Sequence, residues 1–333
     1  VKILIGSHEF APSVGGIETV SQLLATEFAS AGHSVRVVTQ TEGDAKVDFP
    51  VLRRPRRSDL IRAVAWCDVF WQNNISLRTL WPLLFLPRPL VITHQTWITQ
   101  TKEHSTTLAS LKRFAMHRGR SIAISSAIAR ELPVPAVIIG NPYDDATFVN
   151  LAPTIREREL IYVGRLVSDK GVDLLINALS ILHKSRIQPR LTIVGDGPER
   201  TRLEAQTQYL RLHRAIDFVG VQSGAELAHT LNQHRILVVP SRWAEPFGIV
   251  ALEAIACGCV VTGSDRGGLP EAIGPCGVTF ANNDVNALVA VLTELLRDRQ
   301  RCEKLLGQAP THLGKFTRAA VARCYLDLFE SLR

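Results

Sequence analysis

Residues 160–184 read "LIYVGRLVSDKGVDLLINALSILHK". The first five are a short apolar run closed by a glycine, which is how a strand buried on both faces reads. From Val172 the period changes. Leu174, Leu175, Ala178, Ile181 and Leu182 recur at the spacing of one helix face. Strand, turn and helix in that order form the unit of a parallel sheet, because parallel neighbours need a crossover between them.

The unit recurs along the chain. The first half carries "KILIG" (2–6), "SVRVVT" (34–39), "DVFWQ" (68–72), "LVITH" (90–94), "SIAIS" (121–125) and "AVII" (136–139). The second carries "LIYVG" (160–164), "RLTIVG" (190–195), "IDFVG" (216–220), "ILVVP" (236–240), "CVVTG" (259–263) and "GVTF" (277–280). Two sets of about six strands predict an α/β fold of two doubly wound, Rossmann-like domains. The seam is placed in "IGNPYDDATFVNLAPT" (139–154), rich in Pro, Asn and Asp. Ligands of open parallel sheets bind beyond the strand carboxyl ends. Two such sheets facing each other would leave a cleft between domains.

Bulk properties narrow the classes. The 333 residues are 46% hydrophobic and 21% charged, which is globular and not disordered. Lys and Arg number 38 against 31 Asp and Glu, a net +7. That excess suits an anionic ligand or a membrane surface and does not demand nucleic acid. None of the six cysteines forms a CxxC pair, so they read as buried thiols in a reducing compartment. The opening "VKILIG" reads as a strand rather than a secretory leader. The stretch "LWPLLFLPRPLVI" (80–92) is short, holds three prolines and Arg88, and does not span a bilayer. A cytoplasmic protein is expected.

Three segments gather chemistry at the predicted strand ends. The first is "RWAEPFGIVALEAIACG" (242–258), which sets Glu245 and Glu253 in apolar sequence. Glu245 precedes Pro246, so its backbone is extended at a loop tip. Pro246 suits a helix start and Gly258 its end, predicting a helix over about 247–257. The amides of Phe247, Gly248, Ile249 and Val250 would then form an anion site. Carboxylates accept from hydroxyls and amides donate to phosphate, so sugar hydroxyls and a diphosphate would use the whole segment. The alternative is a surface Glu with a helix Glu in a salt bridge.

In the second segment Arg165 ends a strand and Lys170 precedes a helix. Two cations there would neutralise a diphosphate, Arg by a two-point grip and Lys as a point charge. Solvated loop charges are the alternative. In the third, "FAPSVGGIETV" (10–20), Gly15 and Gly16 open a helix after the first strand, letting backbone approach an anion. This is not the GxGxxG fingerprint, which counts against NAD. His94 ends "LVITH" and reads as facing the cleft or as a satisfied structural histidine. Asp196 and Gly197 of "GDGPER" (195–200) line the pocket or simply make a turn.

Taken in order, "PSVGGIE", "IYVGRLVSDKGVDLLINAL", "IVGDGPER", "DFVG", "VVPSRWAEPFGIVALEAIACG" and "GGLPEAI" resemble the retaining glycosyltransferases of family 4 (GT4), over nearly the whole chain. Glu245 and Glu253 match that family's Glu-x7-Glu element, and Arg165 and Lys170 its Arg-x4-Lys element. The resemblance implies the GT-B fold, with an acceptor-binding domain over 1–145 and a nucleotide-sugar domain over 146–315. A last helix over about 316–331 would cross back onto the first.

By resemblance, Glu245 holds the donor sugar's hydroxyls and Glu253 the ribose. Arg165 and Lys170 stabilise the leaving diphosphate, and Gly15 and Gly16 let it approach. His94 lies near the sugar. The amides of Phe247, Gly248, Ile249 and Val250 touch sugar and phosphate, and the backbone around Val221 reads the base. The expected reaction moves a hexose-type sugar from a nucleoside diphosphate, UDP or GDP, to a glycan, lipid-linked or small-molecule acceptor, by front-face attack. No cofactor or metal is expected, since no Asp-x-Asp motif appears.

Two departures stand out. "GNPYDD" (140–145) has Pro142 where the family often has glycine, and Val221 and Gln222 replace small or polar residues. "RRPRR" (53–57) and "LKRFAMHRGR" (111–120) form basic patches that would meet anionic lipid at the inner face of the membrane, or simply be solvated. Competing functions are a catalytically silent nucleotide-sugar-binding partner subunit and a sugar-nucleotide epimerase on the same fold. A P-loop is disfavoured, since "HLGKFT" (312–317) has no glycine at 309 and no preceding strand.

Overall fold

A computed structural model describes residues 1–13, 15–44, 46–98, 106–151 and 156–332. Val14 of the glycine turn and residues 152–154 of the proposed seam lie outside the described residues. The chain forms two compact units, Val1–Pro142 with Phe316–Arg333, and Tyr143–Lys315. Both are built on parallel sheets with crossover helices, as the βα repeat dictates.

The first unit holds β1 (Lys2–Ser7), β2 (Ser34–Thr39), β3 (Val51–Arg53), β4 (Val69–Asn73), β5 (Leu90–His94), β6 (Arg120–Ala123) and β7 (Ala136–Ile138). Their order is β3-β2-β1-β4-β5-β6-β7. β3 is not among the six runs expected from the sequence. It has three half-buried residues at the sheet edge, paired only with β2, and so lacks an apolar run. The second unit holds β8 (Arg158–Val163), β9 (Leu191–Val194), β10 (Ile216–Gly220), β11 (His234–Val239), β12 (Val260–Ser264) and β13 (Gly277–Phe280). Their order is β10-β9-β8-β11-β12-β13.

Each sheet reverses its winding beside its first strand, between β1 and β4 and between β8 and β11. At such a switch point the crossovers leave in opposite directions and open a crevice above the strand ends. Arg165 and Lys170 follow β8, and Glu245 follows β11, so the topology brings these separate segments to one crevice.

The helix Val172–Lys184 buries more than the stripe read from its sequence. Val172, Ile176 and Leu179 are buried as well, whereas Ile181 is only half-buried. The reason is a second partner: the helix Val285–Arg297 packs on it and adds Leu288, Leu292 and Leu295 to the same core. Each such side chain contributes about 1.5–3 kcal/mol. In the first unit the terminal helix Arg318–Glu330 packs on the helix Gly16–Ser30. Tyr325 sits 5.1 Å from Trp71 and 6.2 Å from Phe28, ring to ring, and its hydroxyl meets Thr93 Oγ1 at 3.0 Å. Deleting this helix would therefore expose the aromatic core of a unit that begins at residue 1.

Candidate active site

The turn after β8 is held from below and from the side. Tyr162, buried within β8, donates its hydroxyl to the carbonyl of Arg165 at 2.9 Å. Burial, together with the charges of Glu245 and Asp169, pushes that phenol well above its ordinary value, so it stays a donor. The Arg165 side chain is exposed and makes no hydrogen bond or ion pair among the described residues. Gly171 has φ +68°, and a Cβ there would lie 2.1 Å from the carbonyl oxygen of Pro240, so only glycine lets the Lys170 turn pack this closely.

A clamp fixes the same turn to the segment after β11. Arg242 and Trp243 donate their backbone N–H groups to Asp169 O at 2.8 and 3.2 Å. The Arg242 guanidinium grips Asp173 in two places, at 2.7 and 2.8 Å, and also reaches Ser168 O and Asn283 Oδ1. Burial would raise the Asp173 carboxyl, but the hydrogen bonds and charge of Arg242 outweigh it and hold it below the ordinary carboxylate range. The sequence reading missed this pair. Asp173 resembles an ordinary acid in a first helical turn, and nothing local points to a partner 69 residues away.

Within that frame Glu245 is buried, yet it is not a solitary charge. Its Oε1 accepts from Lys170 Nζ at 2.6 Å and from Ser241 Oγ at 2.5 Å. The Lys170 ammonium also lies 5.3 Å from the Trp243 ring centroid, a cation–π contact. Glu245 backbone is extended, bridging in parallel to Gly267 and accepting from Gly268 N–H at 2.7 Å. These contacts answer why a carboxylate enters apolar sequence here: an ion pair and a hydroxyl supply what water would have supplied.

The helix behind it spans Ile249–Ala256, starting two residues later than the sequence spacing predicts. Gly248 adopts φ +107°, outside helical geometry, and a Cβ there would lie 2.7 Å from Leu269 Cδ1. Phe247 is thus a buried loop residue rather than the first helical one. The N–H groups of Gly248 and Ile249 lie ahead of the bond from Ala251 N–H to Gly248 O (3.0 Å), and Val250 follows them in the first turn. Glu253 projects from this helix. Its carboxylate makes no hydrogen bond among the described residues. Burial, with the charge of Asp144 adding, pushes it up to about 7. The alternative of a helix glutamate in a salt bridge does not describe it.

Other expected residues take plainer roles. Asp196 is exposed, accepts from Gly197 N–H at 2.7 Å and pairs with Arg200 at 3.2 Å, contacts that brace the turn after β9. Val221 is 72% exposed just beyond β10, and Gln222 Oε1 beside it is buried without a partner.

Gly15, Gly16 and His94 belong to the first unit. Gly15 precedes the helix in extended backbone that any residue adopts, so glycine there is not a conformational need. Glu18, one turn in, leans over it. His94 is buried, with Nε2 3.1 Å from Ser121 Oγ and Nδ1 unpartnered. Burial drives it down to about 4, so it is neutral near pH 7. Nearby Gln95 and Asn141 exchange two amide hydrogen bonds, at 3.1 and 2.8 Å, fixing the residue before Pro142.

The basic patches are unequal. Arg53 spends its guanidinium on Thr41 O and Ala11 O, and Arg54 pairs with Glu42. In 111–120, by contrast, Arg113, His117, Arg118 and Arg120 are exposed, as are Leu111 and Phe114. Among the described residues no helix is long and apolar enough to cross a membrane, and no cluster of His, Cys, Asp and Glu could hold a metal ion.

Two parallel Rossmann-like sheets, with charged side chains gathered at one switch point, make this a GT-B protein. HepE from Anabaena, solved with UDP, superposes with a TM-score of 0.84 at 19% identity, over 99% of this chain and all of that one. The sequence profile described as "Glycosyl transferases group 1" matches residues 144–311, half of the chain, and the chain belongs to that family. It is similar to a glycogen synthase of Mycobacterium tuberculosis, 40% identical over 48% of this chain and 40% of that protein. It is also similar to a D-inositol 3-phosphate glycosyltransferase of Corynebacterium jeikeium, 32% identical over 53% of this chain and 44% of that one. The chain spans less than half the length of these curated relatives.

Proposed function

We propose that this chain is a retaining GT4 glycosyltransferase that moves a hexose-type sugar from a nucleoside diphosphate to a glycan, lipid-linked or small-molecule acceptor. The observation that carries this is the array at the β8–β11 switch point. It offers an unpaired cation (Arg165), a paired one (Lys170) and a carboxylate held for hydroxyls (Glu245), and the helix that follows carries an unpartnered carboxylate (Glu253). Each matches a part of a nucleotide sugar: diphosphate, sugar hydroxyls and ribose diol. UDP is the favoured nucleotide, supported by the HepE structures with UDP and with UDP-glucose.

In the proposed reaction the bond from the anomeric carbon to the phosphate oxygen breaks, and the acceptor oxygen bonds to that carbon on the same face. The leaving phosphate takes the acceptor proton. Arg165 and Lys170 absorb the charge that develops, so no divalent metal or cofactor is required. Glu245, with one oxygen committed to Lys170 and Ser241, keeps the other to orient the sugar. The amides of Phe247, Gly248, Ile249 and Val250 approach the phosphate, Val221 the base edge, and Asp196 and Gly197 the pocket rim. His94, Gly15 and Gly16 are the first unit's contributions. The patch at 111–120 makes a peripheral contact with anionic lipid.

Calorimetry of UDP, GDP, ADP and TDP and their sugars tests the reading, followed by donor hydrolysis. One nucleoside diphosphate binding tightly, with slow release of one sugar, is expected. No binding across the set would sink it.

A further inference from the structure

A pocket of about 440 Å³ opens in the first unit between the segment Leu77–Leu84 and the helix Thr106–Arg118. That volume lies within the range of small-molecule sites. Its walls are apolar, with Leu80, Trp81, Leu84, Leu111 and Phe114 among them, and its charged members are Arg88 and Arg118. Four large apolar side chains stay exposed here: Leu84 (69%), Phe85 (76%), Leu111 (47%) and Phe114 (52%). A patch of this kind marks an interaction site.

The charge lining it is one-sided: Arg88 and Arg118, with no carboxylate among the lining residues. Arg118 stands over the Phe114 ring at 5.9 Å, which sets a cation at the mouth of the apolar walls. Arg88 is tethered through Nε and Nη2 to the carbonyls of Val64 and Ala65, at 3.2 and 2.6 Å, and keeps Nη1 outside those bonds. An occupant must therefore carry a long apolar part and an anionic head in one molecule.

We propose that this groove takes one alkyl chain of an anionic phospholipid, with its phosphate at Arg118 and Arg88. The proposal rests on the membrane contact put forward above and specifies it: the chain enters the protein, rather than the protein resting on the headgroups. Arg118 can grip a phosphate in two places, Arg88 adds a single donor at Nη1, and each buried methylene adds to the hold.

Trp81 in the wall gives a direct readout. Phosphatidylglycerol vesicles brominated on the acyl chains should sediment with the protein and quench its fluorescence. Trp81→Phe should lose most of that quenching, and Phe114→Asp should weaken vesicle binding at least tenfold with an unchanged far-ultraviolet circular dichroism spectrum. UDP binding, assigned above to residues outside this groove, should not change in either variant. Vesicle binding that persists in Phe114→Asp without chain quenching leaves a surface contact and overturns the groove. Equal binding to phosphatidylcholine, or a dimer in sedimentation that Phe114→Asp dissolves, overturns it too. Absence of binding to any vesicle removes the contact and the groove together, while the UDP result judges the transferase reading separately.

Discussion

At the switch point of the first sheet the polar side chains are buried and neutral; at that of the second they are ions, of which Glu245 is buried and its neighbours half-buried or exposed. Ser7 and Ser21 share a hydrogen bond of 2.9 Å, Asn73 donates to Ser21 at 2.6 Å, and Asn73 Oδ1 is buried without a partner. Around Arg165 the second sheet instead assembles Lys170 with Glu245 and Arg242 with Asp173. The folds are alike, so the difference belongs to the side chains each crevice receives. Neutral dipoles can exchange hydrogen bonds with hydroxyls at little cost and with little dependence on salt. Ions can answer a diphosphate, but one withdrawn from water, as Glu245 is, needs a partner and a brace. The clamp from Arg242 is that brace.

The comparison breaks most sharply at Glu245. Glu245→Gln keeps the shape and a partner for Ser241 but removes the charge. Turnover should fall about 100-fold or more, while UDP affinity measured by calorimetry stays within a few-fold. Unchanged turnover would remove Glu245 from the reaction. Arg165→Ala should weaken both UDP binding and turnover by roughly 10- to 100-fold, the worth of a charge-assisted contact. Loss of turnover with intact binding would reassign it.

Acid and base sharpen the contrast next. The raised Glu253 carboxyl means that the folded protein holds a proton which the unfolded chain has released by about pH 4.3. Its contribution therefore destabilises as pH rises from there to about 7. UDP affinity should instead climb several-fold through that upper end as the carboxylate forms, and Glu253→Gln should flatten the climb; identical profiles in both proteins would refute the ribose role. Arg242→Ala should cost about 1 kcal/mol. The Asp173 carboxyl is held low, so its contribution is full above about pH 4 and is lost as pH falls further. Thermal unfolding of the variant should accordingly converge on wild type in acid, and a constant gap would contradict the clamp. The smallest effect is expected in the first unit: His94, at about 4, should show no imidazole titration by NMR between pH 5.5 and 8.

Much of this was legible in the chain. Twelve of the strands announce themselves as apolar runs, and Arg165, Lys170, Glu245 and Glu253 lie in segments whose chemistry is unusual for their surroundings. β3 was not legible, because three half-buried edge residues carry no period. Nor was the late start of the helix at Ile249, since Pro246 is as good a start signal as Gly248 is a brake. Asp196 looked equally suited to pocket or turn, and only Arg200 and the Gly197 amide settled its contacts.

The sequence by itself determined the period of each segment, and with it the alternation of strand and helix, the parallel sheets and the residues at the strand ends. Backbone geometry repeats every two or 3.6 residues, so local pattern suffices for that. Tertiary structure alone decided which charges meet. Lys170 finds Glu245 across 75 residues and Arg242 finds Asp173 across 69, because β8 and β11 are neighbours at a switch point. It also decided ionisation: burial raises Glu253 and lowers His94, and burial is a property of the packed chain, not of any one segment.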